Sequence, residues 1–366
     1  MAVSNRTDLD EVGRCLTGWL AARLPDASGI AVSGVEIPAA SGFSCETIRF
    51  DAAWTRDATL EGGSFVARVA PADGAGLFPS YDLDSDAMVM RALSGHTDIP
   101  APRVPFLESD PAVLGGPFLV MEHIAGRVPP DDPPYPMQGW VVDLPLERQR
   151  VLVDNAVATI AAVARVDWSG LGLGKLARVG LDQQLAFLER LYSTGSRGVP
   201  QPVVIAGLQY LRANTPRAEP LALSWGDARL GNMIFREDCS LAGALDWELA
   251  AIASPEQDIA YFLYALRLWS EGYGVASPQG FPSREEILSR FERLSGHSVE
   301  NLDYYERYSA VFAAILVMRA GNLMIDAGML PPDSTMPALN PAVVLLADYL
   351  DMPAPTGQVT GWAGKR

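Results

Sequence analysis

Apolar residues at positions 9, 12, 16, 19 and 20 recur with helical spacing, Asp8 stands where a cap would, and Pro25 closes the segment, so a first helix is expected there. The period then shortens. Val32, Val35 and Ile37, residues 47–50 and residues 65–69 are expected to form strands, with Gly42 and the pair Gly62 and Gly63 marking the turns. A helix over 83–93 follows. Pro100, Pro102 and Pro105 impose an extended segment, and residues 118–122 have the continuous apolar character of a buried strand. Residues 1–122 are therefore expected to be a small α+β unit.

Residues 126–146 contain Pro129, Pro130, Pro133, Pro134, Pro136 and Pro145, a density that favours an ordered loop or flap over a helix or strand. Beyond it the pattern is helical over 147–165, 181–192, 203–213, 256–270, 284–294 and 302–325. Residues 223–248 are the exception and suggest short strands around a loop. A mainly helical second domain over 123–366 is expected.

Composition narrows the function classes. With 366 residues, 49% of them apolar, the chain can bury two cores. Its formal charge of −16 lacks the basic footprint of a nucleic-acid groove and is compatible with a cationic small substrate. Cys15, Cys45 and Cys239 are far apart, odd in number and unlike a zinc site, which fits a reducing cytoplasm. The longest apolar run, residues 310–318, is far short of the roughly 20 residues a spanning helix needs. The first residues carry no signal pattern. A cytoplasmic protein without a membrane span is expected; oligomeric state is not legible.

The chemistry concentrates in residues 223–260. Gly226 and Asp227 precede Asn232, a short apolar stretch follows, and a second stretch ends in Asp246, Trp247 and Glu248. Taken singly, Asp227 and Asn232 are ordinary turn residues and Asp246 an ordinary strand end. Taken in order, they supply what phosphoryl transfer needs: a carboxylate to accept a hydroxyl proton, and an amide oxygen and a second carboxylate to hold Mg²⁺ against phosphates. Histidines occur only at 96, 123 and 297. The chain has no Gly-x-Ser-x-Gly elbow, no His-Glu-x-x-His helix and no P-loop, which removes serine hydrolases, zincins and P-loop kinases. The aromatic residues of 261–269 and 304–308 lie at helical spacing and are expected in the core.

Trp225-Gly226-Asp227 with Asn232, Leu245-Asp246-Trp247-Glu248, and Pro255 with Asp258-Ile259-Ala260 resemble the aminoglycoside phosphotransferase and choline kinase family. The resemblance covers roughly residues 30–330. It implies a two-lobed, protein-kinase-like α+β fold with the nucleotide between a sheet-rich N-lobe and a helical C-lobe. It implies ATP (or GTP) and Mg²⁺ as cofactors and a small hydroxylated substrate as partner. Asp227 would be the catalytic base, and Asn232 and Asp246 the metal ligands. Asp258 would brace the catalytic loop, or simply be a carboxylate favoured at a helix N-terminus.

Ser41, Gly42, Phe43 and Ser44 stand where the family has its nucleotide loop; an ordinary hairpin turn is the alternative. Residues 118–126 resemble the strand into the hinge, whose backbone at Glu122 and Ile124 would meet the adenine edge. Arg68 occupies the place of the family's phosphate-binding Lys, and Asp86 that of its Glu partner; a solvated surface pair is the alternative reading. Trp225 replaces the loop His. These three departures motivate a second hypothesis, a nucleotide-binding pseudokinase or scaffold. The acceptor pocket would use the flap, with Asp131, Asp132 and Asp143 as candidates for a cationic aminosugar. The family's acceptors include aminoglycosides, macrolides, choline, sugars and hydroxyacyl compounds, and the sequence does not choose among them.

Overall fold

The computed structural model describes residues 8–38, 44–72, 74–217 and 220–361. Contacts divide the chain into two units, residues 1–95 with 102–124, and 96–101 with 125–366. The short segment His96–Ala101 belongs to the second because the Ala244 N–H donates to the Pro100 carbonyl at 2.9 Å.

In the first unit α1 (Leu9–Arg23) starts at Asp8, whose side chain accepts from the Glu11 N–H at 2.9 Å. Its apolar face, Val12, Leu16, Trp19 and Leu20, packs with Ile48, Phe50, Phe65, Ala67 and Phe118 into one buried cluster. The strands are β1 (Ser28–Glu36), β2 (Glu46–Arg56), β3 (Thr59–Val69), β4 (Phe106–Glu108) and β5 (Phe118–Glu122), with α2 (Leu83–His96) between β3 and β4. They form one antiparallel sheet in the order β1-β2-β3-β5-β4. Glu108 ties α1 to the sheet edge, accepting from Trp19 Nε1 at 2.7 Å and Arg23 Nη2 at 2.5 Å.

The β2–β3 turn corrects one expectation. It is made by Asp57 and Ala58, both at positive φ (49° and 61°), between the paired Arg56 and Thr59. That is the two-residue loop whose twist matches the strands. Gly62 and Gly63 lie inside β3. A Cβ on Gly62 would come within 2.1 Å of the Ala52 carbonyl oxygen, so that glycine serves close approach of two strands.

The second unit contains α3 (Leu146–Ala164), α4 (Leu181–Gly195), α5 (Pro202–Ala213), α6 (Glu256–Trp269), α7 (Arg284–Ser295), α8 (Leu302–Asp326) and α9 (Pro341–Tyr349). Between α5 and α6 run β6 (Ala222–Ser224), β7 (Met233–Phe235), β8 (Leu241–Ala244) and β9 (Ala251–Ala253), paired as β6-β9 and β7-β8. Helix α8 is the centre of the unit and contacts α4, α5, α6 and α9. It is long and apolar enough to cross a membrane, but 78% of its apolar window is buried in the unit, as in a core helix. Residues 126–145 form turns, bends and isolated bridges without helix or strand. They are anchored where Arg127 and Phe235 exchange backbone hydrogen bonds at 2.9 Å, and by the buried Tyr135.

Candidate active site

The site is built on the segment between β6 and β7, and its shape is set from beneath. Asp258, in the first turn of α6, is buried and accepts from Ser224 Oγ (2.8 Å), the Trp225 N–H (2.6 Å) and the Gly226 N–H (2.9 Å). Burial pushes its pKa up, and these donors pull it part of the way back. Of the two readings left open for Asp258, the three bonds decide for the brace.

Trp225 is fully buried. Its ring stacks on Trp247 with centroids 4.9 Å apart and planes 13° from parallel. Its Nε1 donates to the Leu245 carbonyl at 2.8 Å, while the Leu245 N–H donates to the Asn232 carbonyl at 2.9 Å. Leu245 is thus held on both sides of its peptide, which fixes the neighbouring Asp246 against the loop. Asp246 adopts φ +66°, a left-handed conformation that non-glycine residues adopt at a cost.

Asp227 follows Gly226. Its side chain is 14% exposed and is ringed by donors. Asn232 Nδ2 lies 2.7 Å from Asp227 Oδ2 and 2.9 Å from its carbonyl oxygen, Arg229 Nε lies 3.1 and 3.3 Å from the two carboxylate oxygens, and the Tyr261 hydroxyl is close enough to act on its charge. Both partners of the Asn232 amide are pure acceptors, so its NH₂ must face them and its carbonyl oxygen is left for another ligand. Burial raises the pKa of Asp227. Arg229 opposes this, the Asp246 charge adds to it, and the Tyr261 and Asn232 donors lower it. Asp227, Asn232 and Asp246 are therefore brought into one cluster.

Arg229 and Tyr261 were not singled out from the sequence. Arg229 bridges Asp227 and Asp131, donating to the latter through Nη1. The pull of burial on Arg229 is outweighed by the charges of Asp131 and Asp227, which hold its pKa well above the usual range. Tyr261 is a core residue, as its spacing implied, yet its hydroxyl reaches the site; it lies one turn after Asp258 on α6, which was a usable signal.

The remaining candidates belong to the first unit. Ser41, Gly42 and Phe43 lie outside the described residues. Ser44 is buried against the Cys45 sulfur at 3.8 Å. Arg68 pairs with Thr47 and Leu119 and alternates with Ala67 and Val69, which face α1, so it lies on the opposite sheet face. Asp86 is 5% exposed in the first turn of α2, which removes the solvated surface reading for it. Glu122 ends β5, and its N–H donates to the Arg103 carbonyl at 2.9 Å; Ile124 closes the unit.

The model of the Phosphotransferase enzyme family matches residues 47–287, about two thirds of the chain and all of the cluster just described. The chain belongs to that family. Among solved structures, a provisionally assigned aminoglycoside phosphotransferase from Ralstonia eutropha aligns with a TM-score of 0.62 at 21% identity, over 87% of this chain and 90% of that one. A thermostable mutant of aminoglycoside phosphotransferase APH(4)-Ia, in ternary complex with AMP-PNP and hygromycin B, aligns with a TM-score of 0.52 at 15% identity, over 86% and 94%. These likenesses show the fold, which is protein-kinase-like: a five-stranded antiparallel sheet in the N-terminal region and a helical C-terminal region. A curated relative, the probable acyl-CoA dehydrogenase IBR3 of Arabidopsis thaliana, is 30% identical over 272 residues. The phosphotransferase chain spans about a third of the length of the curated relatives it matches.

Proposed function

We propose that this phosphotransferase moves the γ-phosphate of ATP, or of GTP, to a hydroxyl of a small molecule with the help of Mg²⁺. The observation that carries the proposal is the Asp227 carboxylate, fixed from below by the Asp258 brace and set beside Asn232 and Asp246. Asp227 accepts the proton of the attacking hydroxyl. Its burial and the nearby Asp246 charge make it a stronger base than an exposed carboxylate. The side-chain oxygen of Asn232 and the carboxylate of Asp246 fit a metal that takes only one or two protein oxygens and completes its shell with phosphate and water. When bound, Mg²⁺ would neutralise phosphate charge; orienting the hydroxyl and holding its proton are the tasks of this chain's own residues.

The nucleotide contacts remain those expected from the resemblance: Ser41, Gly42, Phe43, Ser44, Arg68 with Asp86, and the backbone at Glu122 and Ile124. The AMP-PNP complex of the APH(4)-Ia relative supports a nucleotide donor. For the acceptor, the pairing of Asp131 with Arg229 leaves less free negative charge for an aminosugar than the sequence suggested. Val128, Met137 and Leu146, in and beside the flap, are exposed and apolar. These residues and the acyl-CoA dehydrogenase names of the curated relatives favour an acceptor with an acyl portion, a hydroxyacyl compound, as the second reading.

The test is ATP consumption by wild type and Asp227→Asn against aminoglycosides, macrolides, choline, sugars and hydroxyacyl thioesters. Consumption with one class, lost in Asp227→Asn, is the expected result. Nucleotide that raises the melting temperature but is never turned over would establish the scaffold reading instead.

A further inference from the structure

We infer that Asp131, carried by the proline-rich segment, is a positioning residue that keeps Arg229 from clamping the catalytic carboxylate; this rests on Asp227 being the base. Arg229 offers Asp227 only its Nε, at 3.1 and 3.3 Å, and gives Nη1 to Asp131. A guanidinium beside a lone carboxylate prefers the two-point fork, with two parallel N–H bonds to the two oxygens. The Arg229 ion pairs are with Asp131 and Asp227, so these two carboxylates set its orientation. Asp131 therefore draws the fork aside. Without it, Arg229 would rotate onto Asp227, replace the single shared Nε contact with the two-point fork, and compete more strongly with the acceptor hydroxyl for the carboxylate.

Two further observations support a built device. A Cβ on Gly231 would lie 2.2 Å from Arg229 Nη1 and 2.8 and 2.9 Å from the two Asp131 oxygens, so a side chain at this position would force the pair to shift. Asp131 also keeps one carboxylate oxygen, Oδ1, buried without a hydrogen-bond partner. A fold rarely retains such an oxygen for stability, because it costs free energy to bury it unpaired. The seat itself is firm: Asp131 bridges to Pro134, and the Tyr135 N–H donates to the Pro130 carbonyl at 2.8 Å.

The test measures phosphate release from Mg-ATP with water as acceptor, and transfer to the best acceptor of the panel, in six proteins: wild type, Asp131→Ala, Arg229→Gln, the double variant, Asp131→Asn and Gly231→Ala. Asp131→Ala should lose about 10- to 100-fold in kcat, with the KM for ATP unchanged and ATP still raising the melting temperature. Adding Arg229→Gln should restore part of that kcat, because the clamp is gone. Asp131→Asn, isosteric and still an acceptor for Nη1, should fall between, and Gly231→Ala should resemble Asp131→Ala. A kcat at the wild-type level in Asp131→Ala, or a double variant no faster than Asp131→Ala, overturns the inference and leaves the proposed function standing. A wild type that turns over no ATP with any acceptor defeats the proposed function itself.

Discussion

Replacing Asp258 by Asn keeps the shape of the brace and removes one acceptor. The carboxylate now serves three donors, Ser224 Oγ and the Gly226 N–H on Oδ1 and the Trp225 N–H on Oδ2. An amide placed with its oxygen at the Oδ1 position keeps two bonds and turns its NH₂ against the Trp225 N–H; the opposite placement turns the NH₂ against the Gly226 N–H, while Ser224 Oγ can switch from donor to acceptor. At least one buried N–H is left unpaired, at a cost of about 1–3 kcal/mol. The surviving bonds also lose their charge assistance, which roughly halves them. Relief of the buried charge, visible in the raised pKa of Asp258, offsets part of this. The net expectation is a loss of about 1–3 kcal/mol at neutral pH, read from urea denaturation with an unchanged m-value. The same variant should lower turnover, because Gly226 immediately precedes Asp227. A loss below about 0.5 kcal/mol, the range of an ordinary surface substitution, would refute the brace.

The Glu108 pKa is held down to about 2, chiefly by the Asp110 N–H, then by Trp19 and Arg23. Its carboxylate therefore contributes stability that is present above the unfolded value near 4.3 and is lost as pH falls toward 2. Glu108→Gln should be less stable than wild type by about 2 kcal/mol at pH 7, a figure reduced for the exposure of Arg23, and the gap should close near pH 2 in a denaturation series; a gap independent of pH would be wrong for this origin. Asp246→Gly should relax the left-handed φ of +66° and leave stability unchanged or raised by up to about 1 kcal/mol, while abolishing Mg-nucleotide binding. Thermal melts with and without Mg-AMP-PNP check both halves, and a clear destabilisation of the nucleotide-free protein would show that Asp246 serves the fold.

Much of this was legible in the primary structure because it is local. Helices α3 to α8 follow their apolar spacing within a few residues, and the Asp227, Asn232 and Asp246 cluster was recognisable from order and spacing alone. What was hidden is long-range or small. Arg229 and Asp131 are 98 residues apart, and nothing periodic links them. Gly62 and Gly63 carried a turn signal, but the twist of the hairpin was met by Asp57 and Ala58 at positive φ, and Gly62 answered a steric demand from the neighbouring strand. Strand β9 is three residues long and is defined by its partner β6 rather than by its own pattern. Helix α9 is not among the helices that apolar spacing predicts, although its cap is written in the sequence: Asn340 caps it through the Val343 N–H at 3.1 Å, and Pro341 opens its first turn.

The separation of base from metal ligand is tested most directly by measuring Mg-AMP-PNP affinity and ATP turnover side by side in Asp227→Asn and Asp246→Ala. Asp227→Asn should bind the nucleotide within about threefold of wild type and lose on the order of 10²–10⁴-fold in turnover. Asp246→Ala should lose nucleotide affinity as well. Equal loss of affinity in the two variants, or full turnover in Asp227→Asn, would contradict it.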